Sequence, residues 1–525
     1  MLSKRAFAVY IESRGRSQEI ANGLRLCALP CSVVAAPRNL LFYCFLALLR
    51  FASAQSAADT DLQRQGLALA DQGRYPEAVA VFRRALERSP DDPEILNNLG
   101  VALRKQGDAA ASLSALEAAA HLRPVDARLL SNLALTLRAL GRINRAVAVM
   151  QSACALQPAE GVLHRNFGTL LSEAGIDDRA QRELEKAVQL APSNAENHQA
   201  LGRVLAKRKR TADAFSEYST AARLAPNAAA IRLDFGELYE AMHDAARATD
   251  QYRTCLRIDP QNAKCHVALG LLVGADDPAS AEAELKKALA IDPESGEAHR
   301  AFGAILRKQN KLPEAVSELQ QAAALLPNDV ALHYALAQAL QKCGRSDDAT
   351  HQIQIAQQLE QRQKDAAVAT ADINFATELL QKGDVAADEA KLREAVVLAP
   401  RDPLAHYHYG LSFLLQNKFP EAIAEFRTAL DLRPDDADAL YYLGRALLDA
   451  NQAAESAAAL RQALEINPDD AHARNVLAVA LAHQDDLSAA AEELQRAIKI
   501  DPANHRYRQN LSCIQQHMLG CELVP

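Results

Sequence analysis

The sequence predicts an all-α solenoid of stacked helical pairs, and three observations carry that prediction. Prolines return every 34 residues over most of the chain, small residues recur at fixed places between them, and apolar residues within each interval follow steps of three and four. The last is the helical period, and self-similarity at a fixed interval is the mark of a repeat architecture. Composition agrees. The chain is 49% hydrophobic and 24% charged but only 5% aromatic, with no Trp in 525 residues. That suits many thin, alanine-lined layers better than one thick core.

The prolines fall at Pro90, Pro124, Pro158, Pro192, Pro226, Pro260, Pro293, Pro327, Pro400, Pro434, Pro468 and Pro502. One step is 33, and one beat is missed between Pro327 and Pro400. Counting that beat gives 13 repeats. With the proline as position 32, position 8 is Gly or Ala in all 13, from Gly66 to Ala478. Position 27 is Ala in 12, with Cys255 in the other. Position 20 is Ala in ten, with Ser112, Asp388 and Ser456 as exceptions. Position 24 is bulky, as in Phe82, Met150, Tyr252 and Phe426.

Each part of the repeat has a physical reason. Gly73, Gly141, Gly175 and Asn451 stand between the two periodic runs and permit a tight turn. The proline stops the second helix. Asp and Asn beside it, as in SPDDP, RPDDA and NPDDA, can cap the next helix. Small residues at positions 8, 20 and 27 let two helices cross closely. One such pair cannot bury its apolar face alone, but stacked neighbours can.

The segment ALYYLGRALLDANQAAESAAALRQALEINPDD, Ala439 to Asp470, resembles the tetratricopeptide repeat in length, small positions and closing proline. The resemblance runs from Asp59 to about Asn504. It implies a right-handed superhelix of about 13 helix–turn–helix repeats whose first helices line a concave groove for proteins or extended peptides. Residues 505–525 are expected to supply a capping helix and tail over the last apolar face.

If first helices face inward, Asn98, Asn132 and Asn166 fall at the same inward position in three consecutive repeats. Asn can donate and accept together, so it can hold a peptide backbone without reading its side chains. Similar stacked asparagines occur in the repeat domain of O-linked N-acetylglucosamine transferases, where they imply a peptide-holding ladder. The alternative is that these amides serve their own helices. Arg104, Arg138, Arg165 and Arg203 add positive charge suited to carboxylates, unless they pair with neighbouring acids. Tyr407, His408, Tyr441, Tyr442 and Arg445 form a second inward group of interface-type residues. The Lys and Asn pair of chaperone-binding repeats, at positions 5 and 9, occurs in none of the 13.

Arg38 and the apolar run Leu40 to Leu49, followed by Phe51-Ala52-Ser53-Ala54, read as a secretory signal over residues 1–54, cleaved after Ala54. The long stretch upstream leaves a misplaced start or a transit peptide open. Ten apolar residues span about 15 Å as a helix, half a bilayer core, so an N-terminal membrane anchor is the alternative. Export to the periplasm or outside the cell is the expectation. Net charge is −8, and the first 54 residues carry +5, leaving −13 for the rest. An acidic body argues against nucleic-acid partners.

Nine cysteines occur, with no CxxC. Cys255 and Cys265 flank one helix–helix turn, so a disulfide is geometrically possible. The favoured reading is that each replaces a small buried residue. No phosphate-binding loop, dinucleotide fingerprint, HExxH or GxSxG is present. His406 and His408 point about 200° apart on a helix and make poor partners for one metal ion. No catalytic residue, metal or cofactor is expected. Two functions fit: a non-catalytic scaffold for protein partners, in envelope or secreted assemblies, and an adaptor presenting substrates to a separate glycosyltransferase or polysaccharide-export enzyme.

The missed beat divides the repeats into residues 59–364 and 369–504, with an irregular junction or hinge at 365–368. Gln361 stands where a proline is due, five extra residues follow, and Arg345 to Lys382 holds neither Gly nor Pro. A longer turn or an elongated helix joining two arrays would each accommodate this.

Overall fold

The computed structural model describes residues 61–382 and 384–515, together with Leu523. The segment read as a signal, with its cleavage point, lies outside the described residues, as does most of the tail beyond 515. The described residues are helical pairs and turns, without strands. The chain divides into two compact parts, one ending at Pro90 and one running from Asp91 to Pro525. The first holds a helix at 61–71 and the helix Tyr75–Leu86, with Phe82 fully buried between them.

The second part begins with the pair Pro93–Gln106 and Ala109–Leu122 and ends with the single helix His505–Gln515. Each helix packs on the next, and first helices also touch the first helix of the following repeat, as Pro93–Gln106 touches Ala127–Ala139. First helices therefore share one face of the stack. Its core is continuous from repeat to repeat, from Leu116 through Leu133, Met150, Phe167 and Tyr218 to Tyr252.

The small residue at position 8 has one cause throughout. A Cβ on Gly100 would lie 2.5 Å from Leu116, and one on Gly236 would lie 2.3 Å from Tyr252. The bulky side chain at position 24 occupies the space that glycine leaves. The turn between paired helices is nearly as uniform, the one after Ala263–Val273 apart. Its position 15 is left-handed at Gly73, Gly107, Gly141, Gly175 and Gly344, and also at Lys209, His243, Asn310, Asn417, Asn451 and Asp485. First helices begin on Asp or Asn caps: Asp92, Asp126, Asn194, Asp402 and Asp470 each accept from backbone amides one turn on.

A histidine at position 4 ties one repeat to the next. His164, His198, His266, His299, His333 and His406 each place Nε2 about 3 Å from a proline carbonyl, that of Pro158, Pro192, Pro260, Pro293, Pro327 and Pro400 respectively. Nδ1 meets a side chain of the second helix: Glu183, Glu217, Glu284, Glu318, Gln352 and Glu425. Arg232 spans the same two partners, Pro226 and Gln251, and Arg474 spans Pro468 and Glu493. In these repeats the proline carbonyl just beyond the second helix, which has no helical partner, is thereby satisfied.

Cys255 and Cys265 form a disulfide, with Cα atoms 6.5 Å apart. Both are fully buried, so they do fill small positions, but they are bonded as well. The two cysteines are thus a bonded pair and not, as expected from the sequence, merely small buried replacements. Their places at the end of Ala245–Ile258 and the start of Ala263–Val273 bring the sulfurs together across the turn.

Ser346–Gln381 is one helix of 36 residues. Residues 365–368, expected as an irregular junction, lie inside it. With no Gly, Pro or competing cap between Arg345 and Lys382, nothing stops the backbone ladder. The helix packs on Val330–Lys342 at one end and Val385–Leu398 at the other. It is the second helix of the ninth repeat and the first of the tenth.

Candidate functional site

The shared face of the first helices carries the candidate residues, and the structure uses them unequally. Asn132 donates its amide to Asn97 Oδ1 at 2.8 Å, and Asn97 in turn reaches Asn98 Oδ1 at 3.4 Å. One of the three ladder asparagines, Asn132, thus joins the first helices of adjacent repeats, while Asn98 accepts from its neighbour on its own helix. Asn97, buried, is the residue that sequence reasoning passed over. The same diagonal recurs where Asn510 donates to Asn475 and where Gln199 donates to Asp234, each pair 35 residues apart. Asn166 is half-buried and makes no such bond.

Three of the four arginines are paired across repeats. Arg138 forks onto Glu173, Arg165 meets Glu196, and Arg203 holds both oxygens of buried Asp234, at 2.6 and 3.0 Å. Arg104 differs. It stands at the same position as Arg138, one repeat earlier, but Ala139 occupies the place that Glu173 fills for Arg138. Its Nε is buried without a partner. Burial first, and then the neighbouring Arg138, push its pKa down. Arg104 is the one candidate arginine whose charge the fold leaves unanswered.

The second group is assembled as a cluster. Tyr407 lies edge-on to His408 at 5.1 Å and to Tyr442 at 5.9 Å, with Phe426 beneath. Tyr441 meets Tyr442 at 4.9 Å, and Arg445 turns back to Asp449 at 3.3 Å. All four ring residues are half-buried. Burial raises the phenols of Tyr407 and Tyr441 and lowers His408, so the cluster presents neutral hydroxyls and a neutral imidazole near pH 7. Leu404 and Leu415, exposed on the same helix Pro403–Leu415, extend an apolar surface.

His406 is spent on Glu425 and Pro400, away from His408. Among the described residues, no group of three or more His, Cys, Asp or Glu is placed to hold a metal ion. A cleft of about 460 Å³ opens between Phe419–Leu432, Ala437–Asp449 and Ala453–Ile466, walled by Leu440, Leu443 and Leu447 with Arg427 and Glu455 among its polar residues.

Stacked helical pairs of this kind define a repeat scaffold. Comparison with protein families identifies it: a TPR repeat profile matches residues 66–107 and 303–344, and a tetratricopeptide repeat profile matches 99–160, 373–437, 410–469 and 441–505. Together they span about half of the chain, which belongs to the tetratricopeptide repeat family. Repeats of this family mediate protein–protein interactions and generally form non-catalytic scaffolds.

Among solved structures, the APC/C hetero-tetramer Cut9-Hcn1 aligns at 17% identity and TM-score 0.35, over 87% of this chain and 96% of that one. A tetratricopeptide repeat protein from Parabacteroides merdae aligns at 17% identity and TM-score 0.40, over 47% of this chain and 98% of that one. TTC0263, a thermophilic TPR protein in Thermus thermophilus, aligns at 25% identity and TM-score 0.32, over 35% and 99%. A search of curated proteins finds no match.

Proposed function

We propose that the protein is a non-catalytic scaffold that holds protein partners or extended peptides against the shared face of its first helices, in an exported or envelope assembly. The observation that carries this reading is Arg104. A buried guanidinium nitrogen without a partner, beside a second arginine, is costly unless something else supplies the acceptor. An acidic side chain or a chain carboxylate of a partner would do so. Asn166 offers an uncommitted amide two repeats on, and the Tyr407–Tyr442 cluster offers apolar anchoring. The Cys255–Cys265 bond favours an oxidising compartment, in keeping with the signal-like segment. No helix among the described residues is long and apolar enough to cross a membrane. The long helix Ser346–Gln381 serves in this reading as the joint between two arrays.

The adaptor role is the second reading, favoured by the asparagines at one position in consecutive repeats. A pull-down on the processed protein tests the first. Arg104→Ala, and Asn98, Asn132 and Asn166 together changed to Ala, should each reduce the bound set. If both variants retain it unchanged, the proposed face is wrong. A bound glycosyltransferase would favour the adaptor.

A further inference from the structure

The helix Ile143–Leu156 starts on Arg142 and has no side-chain cap of its own. Its second backbone amide, that of Asn144, instead donates to Asp435 Oδ2 at 3.0 Å, from 291 residues away. Asn144 Nδ2 also reaches the Asp435 carbonyl at 3.5 Å. Beside it, Arg145 bridges Glu117 at 2.9 Å and Glu465 at 3.3 Å. The helix rests against Ala453–Ile466.

Asp435 is set apart from its equivalents. In each Pro-Asp-Asp turn the second aspartate caps the local helix: Asp92, Asp436 and Asp470 all accept from amides just ahead. The first aspartates Asp91 and Asp469 are exposed, whereas Asp435 is buried, with 9% of its surface accessible. A carboxylate on a helix N-terminus also meets the positive end of the helix dipole.

We propose that Asp435 and Arg145 form an electrostatic latch that joins the third repeat to the junction of the eleventh and twelfth. Repeats three to twelve already touch in sequence, so the latch turns them into a closed circuit. Asn132, Asn166, Arg138, Arg165, Arg203 and the Tyr407–Tyr442 cluster all lie on repeats of that circuit. A partner reaches their face either end-on or after the latch parts. The latch itself stands whether or not that face binds a peptide.

Amide exchange on the full chain without ligand tests it, read at single residues by mass spectrometry. Asp178 and Ala212 hold the same place on helices that also lack a side-chain cap. At low salt, and after correction for intrinsic rates, Asn144 should exchange about fivefold slower than these two, the effect of one capping bond. High salt should narrow the difference, since the ion pair to Glu465 is partly exposed while Asp435 itself is buried. Asp435→Ala with Glu465→Gln should erase it, and should raise the radius of gyration in X-ray scattering while the helical circular dichroism stays unchanged. Asn144 exchanging as fast as Asp178 and Ala212 in the unsubstituted protein would overturn the latch. So would a doubly substituted protein with an unaltered radius.

Discussion

His198 Nε2 lies 2.9 Å from the carbonyl oxygen of Pro192, and so bonds the last turn of one repeat to the first helix of the next. A carbonyl only accepts, so this nitrogen carries the proton. The opposite nitrogen meets Glu217 at 2.6 Å. His198→Ala leaves the proline carbonyl without its donor and removes the contact to Glu217, and should cost about 1–3 kcal/mol in urea unfolding. His198→Arg should recover most of that loss, because Arg232 and Arg474 already bridge the equivalent groups. A variant His198→Ala as stable as the parent would show that the bond contributes nothing net.

Asp388 occupies a position that is alanine in most repeats, and only 2% of its surface is exposed. Its Oδ2 makes no well-formed hydrogen bond although Ser412 lies beside it, and burial raises its carboxyl above the ordinary aspartate value. The folded protein then holds a proton that the unfolded chain releases. This group's contribution to stability is complete below the ordinary aspartate pKa and is lost as pH rises through the raised value. Asp388→Ala should therefore stabilise the protein by about 1–2 kcal/mol at pH 7 and by less at pH 4. Melting curves at the two pH values provide the comparison; a gain that grows toward acid would contradict the assignment.

The Cys255–Cys265 bond closes a loop across one turn, ten residues apart in sequence. Loop-closure entropy puts its contribution at about 2–3 kcal/mol. Replacing both cysteines by Ala should lower the unfolding midpoint accordingly. Cys513 is disulfide-bonded as well, so reductant should lower the midpoint of the parent by more than that of the double variant.

Lys209 and His243 sit at φ 60°, a conformation that costs most side chains and favours glycine. Gly holds the same turn position in five described repeats. Lys209→Gly or His243→Gly should raise stability by about 0.5–1 kcal/mol, the relief of strain less the extra chain entropy of Gly. A loss of stability in both variants would mean that these side chains make contacts worth more than the strain.

Features repeated at one position within a repeat were legible in the sequence. The glycine at position 8, the left-handed turn, the aspartate caps and the missing stop at Gln361 each follow from a local rule, whereas residues 365–368, expected as an irregular junction, are helical because nothing between Arg345 and Lys382 ends the helix. Features that cross repeat boundaries were not. Asn97 bonds Asn132 at a spacing of 35, one more than the period, so reading one column at a time hides the pair. The histidines at position 4 form a visible column, yet one partner is a backbone carbonyl and the other lies 18 or 19 residues on. Asp435 looked like any aspartate of a Pro-Asp-Asp turn. Only the path of the chain brings it to Asn144.

The central claim is that the face of the first helices binds a partner and that Arg104 supplies an unspent charge for it. The most direct measurement compares proteins co-purifying with the parent, with Arg104→Ala, and with Arg210→Ala, which breaks an exposed ion pair to Asp213 at the start of a second helix. The predicted result is that Arg104→Ala loses a specific partner, that this partner presents acidic residues, and that Arg210→Ala retains it. Equal recovery of every partner by Arg104→Ala and the parent, with both folded, would contradict the claim.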